Sequence, residues 1–223
     1  MLIVLEGLDG AGKSTQVRKL REYLNAEKGQ HHYIHFPRYN APVTGELISK
    51  FLRGDFGNID HVHPMLVAHL YADDRHAASY EFKPWLEKKE TVLFDRYVYS
   101  NIAFQCAKLK DEKASEDLKQ WILNMEYGTF LLPKPDVNIF LDVPIDFIDS
   151  NLNSNREGDG ERDYLNGKQD IHEADITFQK RVRSIYLDLC NNDPSFIRID
   201  CSDKYGKILS PDLIFEKIKL CVH

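Results

Sequence analysis

The sequence predicts an α/β fold in which one parallel, five-stranded sheet is flanked by helices. Three observations predict it. Short apolar runs alternate with longer segments of helical periodicity, the pattern of strands joined by crossover helices. The first run, LIVLEG, leads straight into a glycine-rich turn and then a helical pattern. The chain has 223 residues, 43% hydrophobic and 29% charged, which suits one well-buried domain and is short for two. A single domain over 1–223 is therefore expected.

The strands are expected at LIVLEG (2–7), HYIHFP (32–37), TVLFDR (91–96), VNIFLDV (137–143) and SFIRID (195–200). Helices are expected between them, near 13–28, 44–53, 64–88, 97–108, 114–127, 145–153, 168–191 and 211–220. In the first, Val17, Leu20 and Leu24 recur at helical spacing. In 168–191, Ile171, Ala174, Phe178, Val182, Ile185 and Leu189 form one apolar stripe at spacings of three and four. The stretch before it, SNLNSNREGDGERDYLNGK, is polar and glycine-bearing, and a lid is expected there, over about 154–168.

Bulk composition excludes several classes. A net charge of −6 argues against a surface for non-specific nucleic-acid binding, so no nucleic-acid partner is expected. The first strand starts at Leu2, which is expected to leave no room for a signal peptide. No apolar run approaches the roughly 18 residues of a membrane span, so no membrane partner is expected either. Cys106, Cys190, Cys201 and Cys221 show no C-x-x-C spacing, and reduced thiols in a cytoplasmic protein are the plain reading.

The stretch GLDGAGKST fits the pattern G-x-x-x-x-G-K-[S/T] between a strand and a helix. Backbone N–H groups from Gly7 through Leu8, Asp9, Gly10, Ala11, Gly12, Lys13, Ser14 and Thr15 would cradle the phosphates of a nucleoside triphosphate. Lys13 would reach the β- and γ-phosphates and Ser14 the magnesium ion. A GTPase switch would also need an N-K-x-D for guanine, and the chain has none. Asp9 is the odd residue, an anion inside an anion cradle.

Three further stretches combine arginine with aromatics. FPRYN (36–40) ends the second strand, where open α/β sheets place ligands. In HLYADDRHA (69–77), Tyr71 and Arg75 are four apart and share a helix face. FDRYVYSNIAFQ (94–105) ends a strand on Asp95 and carries Arg96, Ser100, Asn101, Phe104 and Gln105 along one side of a helix. Taken singly, each has an ordinary alternative, since arginines pair at surfaces and aromatics fill cores. Their shared placement beside the phosphate loop favours a binding site.

The set EGLDGAGKST, FPRY, the arginine of ADDRHA, DRYVYSN, LPKPD (132–136) and DIHEAD resembles the thymidylate kinases, in order and spacing from Met1 to about Leu189. The resemblance implies a P-loop kinase fold of three layers, ATP with Mg²⁺ as phosphoryl donor, dTMP as acceptor, and a homodimer. It implies that Asp9 turns toward the acceptor's sugar and the metal's water shell. It places Tyr71 against thymine, with Arg75 on its O4 and Asn101 on the base. Arg38 and Arg96 would hold the acceptor phosphate, with Phe36, Pro37, Tyr39, Ser100, Phe104 and Gln105 around the acceptor. Asp95 would order a magnesium-bound water and orient Arg96. Asp170, His172 and Glu173 would lie near substrate and metal. There are departures: Phe104 and His172 stand where tyrosine occurs in relatives. Position 10 is glycine rather than arginine, so a lid arginine, Arg156 or Arg162, would supply the charge at the γ-phosphate.

The chemistry favours a phosphorylated acceptor. A phosphate monoester has a second pKa near 6 and is mostly a dianion at neutral pH, so it needs no general base. Two unit charges 4 Å apart repel by about 4 kcal/mol at an effective dielectric of 20, and converging cations offset that repulsion. A nucleoside acceptor would instead need a carboxylate base, for which Asp95 is available, so a deoxynucleoside kinase is the alternative. The histidine groups HHYIH (31–35) and HVH (61–63) lack a matching ligand set and read as structural.

Overall fold

The strands are β1 (Leu2–Gly7), β2 (His31–His35), β3 (Thr91–Asp95), β4 (Val137–Asp142) and β5 (Phe196–Asp200). In the computed structural model, which describes residues 1–27, 29–153, 160–168, 170–173 and 175–222, they form one sheet in the order β2-β3-β1-β4-β5. Every neighbouring pair is parallel. All six residues of the central β1 are buried, because helices cover both faces of a parallel sheet. At the β2 edge only Ile34 is buried.

The helices are α1 (Lys13–Glu27), α2 (Thr44–Leu52), α3 (Pro64–Glu87), α4 (Val98–Cys106), α5 (Glu112–Leu123), α6 (Ile145–Asn153), α7 (Ile176–Asn192) and α8 (Pro211–Lys219). Their starts follow local chemistry. The carboxylates of Asp111 and Asp175 accept from Ala114 N and Thr177 N, capping α5 and α7. Pro64 and Pro211 occupy first turns, where a missing N–H costs nothing. The chain leaves β1 toward β2 on one side and β3 toward β4 on the other. The adjacent carboxyl ends of β1 and β3 therefore flank the crevice where such sheets bind ligands.

A smaller apolar cluster stands apart from the main core. Ile48, Phe51 and Leu52 of α2 meet Val67 of α3, and Tyr39, Tyr71, Tyr164 and Ile171 pack against them. This cluster holds aromatic side chains that the sequence assigns to the site.

The structure corrects two boundaries. The helix expected from 168 begins at Ile176. Asp175 caps it, Asp170 Oδ1 accepts from His172 N at 2.7 Å, and Ile171 N donates to Leu52 O at 3.0 Å. Those backbone groups are committed elsewhere, so Ile171 packs on α2 instead of joining the helical stripe. The helix expected over 114–127 stops at Leu123 and continues as a π-helical turn, Asn124–Thr129. β2 ends at His35, and the Phe36–Pro37 peptide after it is cis. Within the expected lid, Gly160–Leu165 form a 3₁₀ turn. No helix among the described residues is long and apolar enough to cross a membrane.

Candidate active site

β1 delivers the chain into the phosphate loop, and α1 begins at Lys13. Gly10 and Gly12 have φ of 76° and 74°, the left-handed region that side chains disfavour. Leu8 is fully buried, so this loop is anchored in the core and Leu8 can offer a ligand only its backbone. Burial lowers the pKa of Lys13, and the charge of Arg96 lowers it further, while Asp95, Asp9 and Glu6 oppose that. The loop lines an open cleft of about 1480 Å³, from Asp9 to Thr15. Asp95 and Glu173 line the same cleft. Asp95 is buried, and its Oδ1 has no hydrogen-bond partner among the described residues.

A second cavity lies beside it. Asp9, Phe36, Pro37, Tyr39, Tyr71, Arg75 and Arg96 line it, with Ser100, Asn101, Phe104 and Gln105 from α4 and Asp170 and His172 from the turn before α7. The structure thus brings together the predicted acceptor set except Arg38, which lines neither cavity. Its Nε donates to Asp74 Oδ1 at 3.0 Å, its Nη2 to Asp74 O at 2.9 Å, and its backbone N to Asp74 Oδ2 at 2.9 Å. A fully buried carboxylate needs a charged partner, and Arg38 pairs with Asp74. Arg156 and the side chain of Arg162 lie outside the described residues.

The two cavities share Asp9, Tyr39, Arg96 and Tyr164. Arg96 Nη2 donates to Asp9 Oδ1 at 2.6 Å, and its Nη1 donates to Gly7 O at 2.7 Å and Ser100 Oγ at 3.1 Å. Arg96 itself sits at φ 68°, a conformation that costs a non-glycine residue on the order of 1 kcal/mol. Burial works against its charge, but Asp9 and neighbouring acidic groups hold its pKa above the ordinary arginine value. Asp9 therefore turns away from the phosphate loop's N–H groups and toward the join between the cavities.

A phosphate-binding cleft thus meets a second cavity, lined by aromatic, polar and charged side chains, across one aspartate–arginine pair. The thymidylate kinase family model matches residues 5–210. The chain belongs to that family. It is 32% identical to the thymidylate kinase of Mycobacterium tuberculosis over 190 residues, covering 85% of each chain. To the thymidylate kinase of Plasmodium falciparum it is 31% identical over 220 residues, covering 99% of this chain and 90% of the relative. The solved thymidylate kinase of Candida albicans superposes with a TM-score of 0.72 at 28% identity, over 99% of this chain and 90% of that one.

Several residues of this thymidylate kinase site were not legible as such in the sequence. Gln179 of α7 donates from Nε2 to Asp9 Oδ2 at 3.0 Å and to His172 O at 2.9 Å. Tyr164 stacks on Tyr39 with centroids 3.7 Å apart and donates its hydroxyl to Asp170 Oδ2 at 2.8 Å. Glu6 is buried at the end of β1 and accepts from Tyr97 N, Ser100 N, the Ser100 hydroxyl and the Tyr186 hydroxyl. Burial raises its carboxyl above the usual range, against those hydrogen bonds. Only Glu6 had a signal in sequence, a carboxylate at the end of an otherwise apolar strand. His172 packs among Phe51, Phe104 and Phe178, and burial, Lys108 and Arg96 hold its pKa well below the usual value.

Two residues of the histidine groups make packing or capping contacts. His32 stacks on Trp85 at 3.9 Å and pairs with Glu90 at 2.6 Å, while His63 caps α3 by accepting from Met65 N. Among the described residues no group of three or more His, Cys, Asp or Glu side chains is placed to hold a metal.

Proposed function

We propose that this site transfers the γ-phosphoryl group of ATP to dTMP, giving ADP and dTDP, by direct in-line displacement. The observation that carries the reading is the meeting of two cavities at Asp9 and Arg96. The donor phosphates lie along the loop from Gly7 to Thr15, with Lys13 on the β- and γ-phosphates. The acceptor lies in the second cavity, with Tyr71 against its ring and Arg96 on its phosphate. Both reactants are polyanions, so catalysis consists of positioning and charge neutralisation rather than proton abstraction. Arg96 is pre-aimed for this by Gly7 O, Ser100 Oγ and Asp9.

A magnesium ion bound with ATP fits the cleft. Asp95 Oδ1 is a buried, unpartnered oxygen there among the described residues, and Ser14 and Glu173 add oxygens to the same wall. Such an ion would draw charge from the transferring phosphate. Asp9 and Asp95 would hold its waters. The charge that Arg38 was expected to bring falls to Arg96 and to a lid arginine, Arg156 or Arg162, within a lid over about 154–168. Closure of that lid would exclude water that otherwise hydrolyses ATP.

The chain acts as one domain over 1–223: α8 returns to α1, where Gln16 Nε2 donates to Pro211 O at 3.0 Å and Lys19 pairs with Asp212 at 2.5 Å. We place it in the cytoplasm, which suits its four free cysteines. It forms a homodimer through α3, whose outward positions Leu66, His69, Asp73, His76 and Tyr80 repeat at spacings of three and four beside exposed Leu131.

The test is acceptor-dependent ADP formation with Mg-ATP and dTMP, thymidine, dUMP, AMP or no acceptor. Turnover with dTMP well ahead of the others is expected. Turnover with thymidine but not dTMP would make Asp95 a general base and overturn the roles given to the arginines.

A further inference from the structure

Glu126 lies in the π-helical turn after α5, and its side chain is wholly buried, 0% exposed. A buried carboxylate persists only where it is paired and hydrogen-bonded. Here Arg75 supplies a two-pronged fork, Nε to Oε2 at 2.5 Å and Nη2 to Oε1 at 2.6 Å. Asn101 Nδ2 donates to the same Oε1 at 2.9 Å. The second Nδ2 hydrogen goes to Ala68 O at 2.9 Å.

Neither neighbour of that amide can donate: one is a carboxylate, the other a backbone carbonyl. Rotating the amide by half a turn would set Asn101 Oδ1 against two acceptors, so its orientation is dictated by its neighbours. The consequence lies on the other side of the residue. Asn101 Oδ1 is buried and has no partner among the described residues, and Asn101 lines the acceptor cavity. Arg75 lines it too, with Nη1 the guanidinium nitrogen that neither Glu126 bond uses. The wall therefore offers a fixed acceptor and a fixed donor whose polarity is set from behind by Glu126, with Ala68 O adding a second acceptor behind Asn101.

We propose that Glu126 is the residue that sets base specificity, acting through Arg75 and Asn101 without touching the substrate. Because it only accepts, it presents a donor and an acceptor to the ring. That pair matches a carbonyl next to a ring N–H, as in thymine, and rejects an amino group next to a bare ring nitrogen, as in cytosine. The inference rests on the reading of the second cavity as the nucleotide acceptor's. Glutamine at 126 would keep the shape but could donate toward Asn101, which removes one of the two acceptors that hold the amide and leaves Ala68 O alone against its turning.

The test compares dTMP with 5-methyl-dCMP, which share methyl group, sugar and phosphate and differ only along the edge in question. For the wild type, kcat/KM should favour dTMP by about 10³-fold or more, as expected where a buried polar site meets a mismatched edge. In Glu126→Gln the ratio should narrow by about tenfold or more, carried by KM, with kcat for saturating dTMP changing only a few-fold. Glu126→Asp still only accepts; it should raise both KM values and keep the ratio. An unchanged ratio in a folded Glu126→Gln protein, or a ratio lost equally in Glu126→Asp, would overturn the proposal. If Glu126→Gln fails to fold, the Glu126→Asp ratio decides alone, retention supporting the role and loss refuting it. Absence of dTMP turnover in the wild type would instead remove the acceptor reading on which this rests.

Discussion

Lys108 buries its Nζ 4.5 Å from the centroid of the Phe51 ring, with no hydrogen-bond partner among the described residues. Burial drives its pKa down to about 7, and Asp60 and Asp170 only partly oppose this. The unfolded value is near 10.4, so between about 7 and 10.4 the unfolded chain binds a proton that the folded chain does not. Stability from this residue is therefore present at high pH and is lost as pH falls through that window. Lys108→Met should stabilise the fold at about pH 6.5, by something on the order of 2 kcal/mol after allowing for partial exposure, and the gain should shrink toward pH 10. Urea melts of both proteins at several pH values would test it, and a difference that does not vary with pH would count against a buried charge. At this scale the sequence was a partial guide. It marked Arg75 and Asn101 but not Glu126, and Arg38 but not its buried partner Asp74, because nothing local distinguishes a carboxylate that will be buried.

At the scale of elements, α2 must approach the loop after β2 closely enough to hold Tyr39 in place. Gly45 makes that approach possible. A Cβ added there would lie 2.4 Å from Tyr39 O and 2.7 Å from Arg38 O, both backbone atoms that cannot step aside. Gly45→Ala should therefore shift the FPRYN loop and loosen the stack of Tyr39 on Tyr164. The expected result is a fall in kcat/KM for dTMP of about 10²-fold, the scale of an ångström of misplacement, with KM for ATP little changed. Overpacking should also cost roughly 1–3 kcal/mol of stability. Acceptor kinetics identical to wild type would show that the loop is not coupled to α2. The elements themselves were largely legible, since strand runs and helical stripes are local patterns. One exception, 168–175, was misread because Ile171 has the spacing of a helical stripe but spends its N–H on Leu52 O.

For the whole molecule, the exposed face of α3 is the surface on which the proposed dimer rests. Leu66 is 65% exposed and Tyr80 77%. Leu66→Glu combined with Tyr80→Glu should shift sedimentation from dimer to monomer while changing the stability of each chain by under about 1 kcal/mol, as surface substitutions do. An unaltered sedimentation coefficient would place any dimer contact elsewhere. The sequence alone determined the parallel sheet, the phosphate loop and the clustering of arginines and aromatics at strand ends. Each of these depends on residues close together in the chain. Only the tertiary structure decided which charges face the cavity and which face the protein. Arg38 turns to Asp74, 36 positions away, Arg75 is oriented by Glu126, 51 away, and Asp9 is shared with Gln179, 170 away. A buried charge must be matched by whatever polar group the fold brings beside it, and the cost of desolvation makes that match obligatory however distant the partner lies in sequence.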